Sequence, residues 1–203
     1  MKFLCYGARG WIGTQMVDLL RKRNHTVIAG KERCDDYEKV FEEIQSVQPD
    51  YVFCSIGRTH GTDEKTNIKY STIDYLELPD KLSINVADNL VGPLNLARAC
   101  KELQLQVAYV GTGCIFEYDK QHLLPQINEE IDDKIDCSNI VGFTEADLPN
   151  FTKSYYSTVK GWTDVEMRKF PQTVLNLRIR MPISGNDNPR DFITKITNYK
   201  RVC

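Results

Sequence analysis

The chain is predicted to fold as a doubly wound parallel α/β sheet, on two patterns. Short apolar runs alternate with longer amphipathic stretches along most of its 203 residues. That is the rhythm of β-α-β-α units with parallel strands. Three glycines, Gly7, Gly10 and Gly13, lie between the first apolar run and the first amphipathic stretch. There a sheet of this kind carries its phosphate loop.

The elements follow in order. Residues 3–6 form a short strand and the glycines follow it. Residues 12–23 place Ile12, Met16, Val17, Leu19 and Leu20 at helical spacing. Residues 26–29 read as a second strand, and 37–46 as a helix with Val40, Phe41 and Ile44 on one face. Pro49-Asp50 breaks that helix and residues 51–55 are the third strand. A long helix is expected over 82–103, with Ile84, Val86 and Leu90 inward; Pro93 kinks it or begins a fresh turn. Residues 107–110 are a strand, 154–170 a helix, and 173–179 a strand with Val174, Leu175, Leu177 and Ile179 apolar. The acidic stretch 126–139, with Glu129, Glu130, Asp132, Asp133 and Asp136 against Lys134, reads as a solvated surface loop.

Composition narrows the partners. A net charge of −2 with no basic patch argues against nucleic acid. The apolar run at the start is too short for a signal peptide or a membrane span. The seven cysteines (5, 34, 54, 100, 114, 137 and 203) form no Cys-x-x-Cys, so neither a metal site nor a disulfide framework is predicted. Reduced thiols point to the cytoplasm. Cys5, Cys54 and Cys100 each sit in an apolar run and are core candidates.

The glycine loop, Gly7-Ala8-Arg9-Gly10-Trp11-Ile12-Gly13, has the strand before it and the helix after it that such a loop requires. Glycine lets backbone N–H groups approach a pyrophosphate, and the helix N-terminus adds its dipole. Gly7, Arg9, Gly10, Trp11, Ile12 and Gly13 are therefore candidate cofactor contacts. After the second strand, where an acid usually binds the ribose diol, stand Lys31, Glu32 and Arg33. Lys31 and Arg33 suit a 2′-phosphate, favouring NADPH over NADH, or are plain surface charge.

Tyr156-Ser157-Thr158-Val159-Lys160 puts a tyrosine and a lysine on one helix face. Tyrosine ionises near pH ~10 in water. A neighbouring ammonium favours the phenolate and makes it an acid–base group. Val110-Gly111-Thr112-Gly113-Cys114 supplies a second hydrogen-bonding group at a strand end, where open α/β sheets bind ligands. Cys114 follows Thr112 by two residues and shares its direction if the strand extends that far. There it is either a small core residue or a proton acceptor.

With these residues in view, the sequence resembles the extended short-chain dehydrogenase/reductases. Within them it is similar to the bifunctional 3,5-epimerase/4-reductases of UDP-rhamnose synthesis in plants and giant viruses. The resemblance lies in residues 6–13, Thr112-Gly113-Cys114-Ile115-Phe116-Glu117-Tyr118-Asp119, Pro149-Asn150-Phe151-Thr152, the Tyr156 and Lys160 pair, and two late motifs. These are Arg178-Ile179-Arg180-Met181-Pro182-Ile183-Ser184 and Asn188-Pro189-Arg190-Asp191-Phe192-Ile193-Thr194-Lys195. It implies a Rossmann domain over residues 1–203. By the same resemblance the start of a small substrate lobe is expected at about 180–203, with most of that lobe expected to be missing at the C-terminus. It implies UDP-4-keto-6-deoxy-D-glucose, or its dTDP counterpart, as substrate. NADPH or NADH is the cofactor, the host-cell cytoplasm is a location, and a homodimer is left open. Tyr156 would give a proton to the C4 oxygen and Thr112 would orient it. Lys160 would tune Tyr156 and hold the nicotinamide ribose. Cys114 and Lys195 would exchange protons at C3 and C5. Asn89 would support Lys160 through water, and Ser55 and Gly57 would border the cofactor. Other readings are a plain 4-reductase and a non-catalytic dinucleotide-binding regulator.

Overall fold

The computed structural model describes residues 1–122, 141–185 and 187–198. The acidic stretch 126–139, Cys137 and Cys203 fall outside the described residues. A five-stranded sheet is built from β1 (Lys2–Tyr6), β2 (Thr26–Ala29), β3 (Tyr51–Cys54), β6 (Gln106–Thr112) and β7 (Val174–Ile179). Their order is β2-β1-β3-β6-β7 and every pairing is parallel. The chain runs from β1 outward through α1 (Trp11–Lys22) to β2, then returns past β1 through α2 (Tyr37–Val47) to β3. The direction of winding thus reverses between β1 and β3, which opens a crevice at their C-terminal ends. Because the strands are parallel, Gly7, Ser55 and the residues after Thr112 all emerge on that one edge.

Period-two alternation sorts side chains to the two faces. Leu4, Tyr6, Val52, Cys54, Val107 and Tyr109 meet Val40 and Ile44 of α2, and Leu96, Ala97 and Cys100 of α4 (Gly92–Glu102). Met167 of α5 (Tyr155–Met167) joins the same cluster. On the other face Cys5 and Phe53 pack with Val17 of α1. Cys5, Cys54 and Cys100 are buried as expected, and Cys34 with them.

The segment between β3 and residue 82, for which the sequence suggested no element, folds as a small hairpin, β4 (Gly61–Thr62) against β5 (Lys69–Tyr70). A 3₁₀ turn at Ile73–Glu77 follows it. The long helix expected over 82–103 is interrupted. α3 (Leu82–Val86) passes into a π-turn at Ala87–Val91 before α4 begins. Pro93 has no N–H to give the carbonyl of Asn89. The Thr163 hydroxyl of α5 donates to that carbonyl instead, at 2.7 Å. The most buried face of the α3 and π-turn segment carries Asn85 and Asn89, while Ile84, Val86 and Leu90 are only half-buried. Inside, Asn89 Nδ2 donates to Asn85 Oδ1 at 2.9 Å, while among the described residues Asn85 Nδ2 is buried without a hydrogen-bond partner.

After β7 the chain leaves the sheet and forms α6 (Phe192–Asn198). Asp191 caps it, Oδ1 accepting from the N–H groups of Ile193 and Thr194 at 2.9 and 3.2 Å.

Candidate active site

The glycine loop is a cradle that side chains could not share. Gly7 has φ +79°, and a Cβ there would lie 2.7 Å from the Ser55 carbonyl carbon. A Cβ on Gly13 would lie 2.0 Å from the Gly7 oxygen. Ser55 buttresses the loop, its hydroxyl 3.3 Å from the carbonyls of both Tyr6 and Gly7. α1 starts after Gly10 with no side-chain cap and no acid in its first turn. Its N-terminal dipole and N–H groups suit a pyrophosphate. Arg9 is exposed at the loop's tip, and Trp11 and Ile12 are half-buried in the first turn.

The loop after β2 is shaped by a residue the sequence did not single out. Glu43 of α2 accepts the Tyr6 hydroxyl at 2.7 Å, the Lys31 N–H at 2.8 Å and the Glu32 N–H at 3.3 Å. Arg33 holds Asp35 in a two-point pair, Nε–Oδ1 2.9 Å and Nη2–Oδ2 2.7 Å, and reaches Asp88 at 3.2 Å. Its guanidinium therefore already has anionic partners. Gly57 follows β3, and the Asn89 side chain reads the next residue's backbone. Asn89 Oδ1 accepts from Arg58 N, and Nδ2 donates to Arg58 O, both at 3.0 Å. Asn89 thus fixes the turn beside the crevice, while Lys160 is held by another group.

α5 brings up the candidate acid–base residues. Ser154 caps it, accepting the Ser157 N–H at 3.0 Å. Glu77 from the 3₁₀ turn accepts the N–H groups of Tyr155 and Tyr156 at 2.8 and 3.1 Å, a carboxylate where the helix dipole favours one. Tyr156 is 8 % exposed and packs with Tyr75 and Leu76, with Cys114 against the same cluster. Burial pushes its pKa up to about 12; the Cys114 thiol adds to the rise and the neighbouring Thr112 hydroxyl opposes it. The phenol is thus held protonated near neutrality, not drawn towards phenolate as the spacing suggested. The reason is where Lys160 points. Buried, it donates to the Tyr109 hydroxyl of β6, its Nζ 4.7 Å from the ring centroid. Burial lowers the Lys160 pKa to about 8 against the pull of Cys54 and Asp164.

β6 ends at Thr112, so Cys114 sits in the turn beyond it. The Cys114 N–H donates to Thr112 Oγ1 at 3.1 Å, which folds the two side chains into one corner. The two motifs flanking this corner are tied by Asn150, which accepts the Glu117 N–H at 2.8 Å and donates to its carbonyl at 3.0 Å. Thr112, Cys114 and Tyr156 are therefore brought together. Lys195 lies half-buried on α6. Among the described residues its side chain makes no hydrogen bond or ion pair with Thr112, Cys114 or Tyr156. The segment before α6 reaches the hairpin through Arg190, whose guanidinium lies 3.0 Å from His60. Arg190, Arg58 and Lys69 make a cationic rim about that histidine, and its pKa is lowered first by burial and then by these charges.

Glu43, Glu77 and Tyr109 escaped the sequence reading because each acts through a fold contact. Only Tyr109 left a trace, a tyrosine inside an apolar strand, whose buried hydroxyl needs a partner.

Fold and site together define a dinucleotide-binding α/β protein with Thr112, Cys114 and Tyr156 gathered at the C-terminal edge of its sheet. The chain belongs to the NAD dependent epimerase/dehydratase family, whose model matches residues 3–139. It is 48% identical over its whole length to a protein of Acanthamoeba polyphaga mimivirus. The crystal structure of that virus's UDP-rhamnose synthase superposes with a TM-score of 0.85 at 45% identity, all of this chain against 64% of that one. A trifunctional UDP-glucose 4,6-dehydratase/UDP-4-keto-6-deoxy-D-glucose 3,5-epimerase/UDP-4-keto-L-rhamnose-reductase of Arabidopsis thaliana is 38% identical over the whole chain. The dTDP-4-dehydrorhamnose reductase of Bacillus anthracis, solved with NADP, shares the fold at 15% identity and a TM-score of 0.68. The chain spans 63% of the length of the viral relative and 27% of the plant one. Among the described residues no helix is long and apolar enough to cross a membrane.

Proposed function

We propose that the chain carries the catalytic part of a bifunctional 3,5-epimerase/4-reductase that turns UDP-4-keto-6-deoxy-D-glucose into UDP-L-rhamnose with NADPH. The dTDP-linked sugar is a second candidate. The observation that carries this reading is the meeting of Thr112, Cys114 and Tyr156 on the edge that also bears the glycine cradle. When bound, the nicotinamide supplies a hydride to the C4 carbonyl carbon. Gly7, Gly10 and Gly13 receive the pyrophosphate, with Arg9, Trp11 and Ile12 around it. Ser55 and Gly57 border the cofactor on the β3 side.

Thr112 donates to the C4 oxygen and orients it. Tyr156 gives that oxygen its phenol proton as the C4–H bond forms, so the ketone becomes an alcohol. A protonated phenol is the form this step needs, and burial of Tyr156 secures it. Lys160, held by Tyr109, would hold the nicotinamide ribose. Before reduction, the ketone acidifies C3 and C5. Cys114 removes a proton there and Lys195 returns one from the opposite face; solvent then takes the proton from Cys114 and resupplies Lys195, so the pair is reset for the second carbon and the substrate changes only in configuration. The exposed cations Lys69 and Arg190 suit the substrate's diphosphate, while Arg58 is already held by Asp88 at 2.5 Å. Residues from about 180 onward begin the substrate lobe. The runner-up is a plain 4-reductase, in which Cys114 and Lys195 take no part in proton exchange.

The test mixes the protein with NADPH and the 4-keto sugar nucleotide in D₂O. Nicotinamide absorbance follows reduction, and NMR follows hydrogen exchange at C3 and C5. We expect both signals, with exchange lost and reduction of pre-epimerised substrate kept in Cys114→Ser. Unchanged exchange in Cys114→Ser defeats the bifunctional reading, and NADPH consumption without exchange leaves the plain reductase.

A further inference from the structure

Lys160 is 5 % exposed, and an ammonium so far from water must have its donors met by protein. Among the described residues one hydrogen-bond acceptor meets it, the hydroxyl of Tyr109. The other groups about it are accounted for. Cys54, beside Tyr109 across the β3–β6 pairing, is a buried thiol whose pKa burial pushes up to about 12, hence neutral. Asp164, one turn along α5, is bound at two points by Arg178, at 2.8 and 2.7 Å, and by Asn176 at 2.8 Å. The π-turn against α5 offers Asn89, whose side chain is spent on Arg58 and Asn85 and whose carbonyl takes Thr163.

We propose that Tyr109 is the positioning residue for Lys160: its oxygen accepts an ammonium proton, so the lysine stays charged and aimed in a dry site. Tyr109 stands three residues before Thr112 on the same strand. β6 thereby positions both sides of the reaction, one residue touching the carbonyl and one acting through the lysine. Any effect on cofactor binding rests on the function proposed above; the effect on Lys160 itself does not.

The experiment labels lysine side chains with ¹³C and ¹⁵N in the whole chain and assigns Lys160 by its loss in Lys160→Met. In the unmodified protein we expect a slowly exchanging Lys160 ammonium signal on the acid side of its titration. In Tyr109→Phe, which keeps the ring and removes the acceptor, we expect the Lys160 midpoint to fall by about one pH unit, roughly tenfold in proton affinity. NADPH binding near neutral pH should weaken with it. A folded Tyr109→Phe with an unmoved midpoint overturns the proposal. So does a wild-type ammonium that exchanges as fast as surface lysines, which decides the matter even if the variant does not fold. If neither protein binds NADPH, the functional reading fails while the titration still judges Tyr109.

Discussion

At the glycine loop, atoms are placed by backbone alone. Gly7 and Gly13 approach neighbouring main chain to distances at which no Cβ fits, and no ionisable side chain caps α1. Across the crevice, at the ends of β6 and α5, atoms are placed by buried side chains whose protonation the surroundings set. Burial there moves Tyr156 up and Lys160 down, each away from charge. The two regions share one sheet edge, yet the first fails by steric clash and the second by a change of proton. Damage to the first should abolish binding. Damage to the second at Tyr156 should leave binding and remove chemistry.

The largest effect expected is from Gly13→Ala. Its Cβ meets the Gly7 carbonyl, backbone that cannot rotate aside. Such overpacking costs about 1–3 kcal/mol or more. Nicotinamide nucleotide binding should vanish in a fluorescence titration, and the thermal midpoint should drop by roughly 5–10 °C. Gly142→Ala is the control, with nothing within 4 Å of its added Cβ, and should change neither. Next comes Tyr156→Phe, which keeps the packing and deletes one hydroxyl. Turnover of the 4-keto sugar nucleotide should fall about 10²–10⁴-fold with NADPH affinity unaltered. If Tyr156→Phe lost binding as Gly13→Ala does, the two regions would not be separable.

The same contrast explains what could be read from the sequence. The loop was legible because glycine spacing is itself the steric requirement. All five sheet strands were legible from apolar runs, since parallel strands are covered on both faces. Thr112, Tyr156 and the neighbouring Cys114 were legible as candidates because a strand end and a helical spacing place them. The protonation of Tyr156 was not legible. It depends on Lys160 turning to Tyr109, a contact between residues 51 positions apart. The break before Pro93 was visible, but the π-turn and the asparagine face were not, because they need Thr163 and the backbone of Arg58 as partners. The hairpin at Gly61–Thr62 and Lys69–Tyr70 is two residues per strand, too short for periodicity to show.

Burial of titratable groups on both faces of the sheet also sets a response to alkali. The thiols of Cys5, Cys34, Cys54 and Cys100 all have pKa values raised by burial, above their ordinary 9.0. Above that pH the unfolded chain releases protons that the folded chain keeps, so stability falls as pH rises. Lys160 acts the other way. Its lowered pKa means that between about 8 and 10.5 the unfolded chain holds a proton the folded chain has lost, so rising pH favours the fold. Four thiols outweigh one lysine. Urea unfolding under reductant should show a loss on the order of a few kcal/mol between pH 8.5 and 10.5. Constant stability across that interval would mean that the thiols are not dry.

The smallest effect probes the one place where the backbone-built region does use charge. Arg33 is the residue best suited to a 2′-phosphate, yet its side chain is 65% exposed and already paired with Asp35. A phosphate arriving there must displace a carboxylate, and Asp35 therefore works against NADPH. An exposed pair of this kind is worth about 0.2–1 kcal/mol, so removing the competitor should help only a little. Asp35→Asn should tighten NADPH about two- to fivefold and leave NADH unchanged, with the gain shrinking as salt screens the guanidinium. NADH carries no 2′-phosphate, so equal tightening of both cofactors would show that Asp35 acts on the loop's shape, and no change in either would remove Arg33 as the 2′-phosphate partner. Only a selective gain for NADPH makes Arg33 and Asp35 a specificity pair set on an otherwise side-chain-independent cradle.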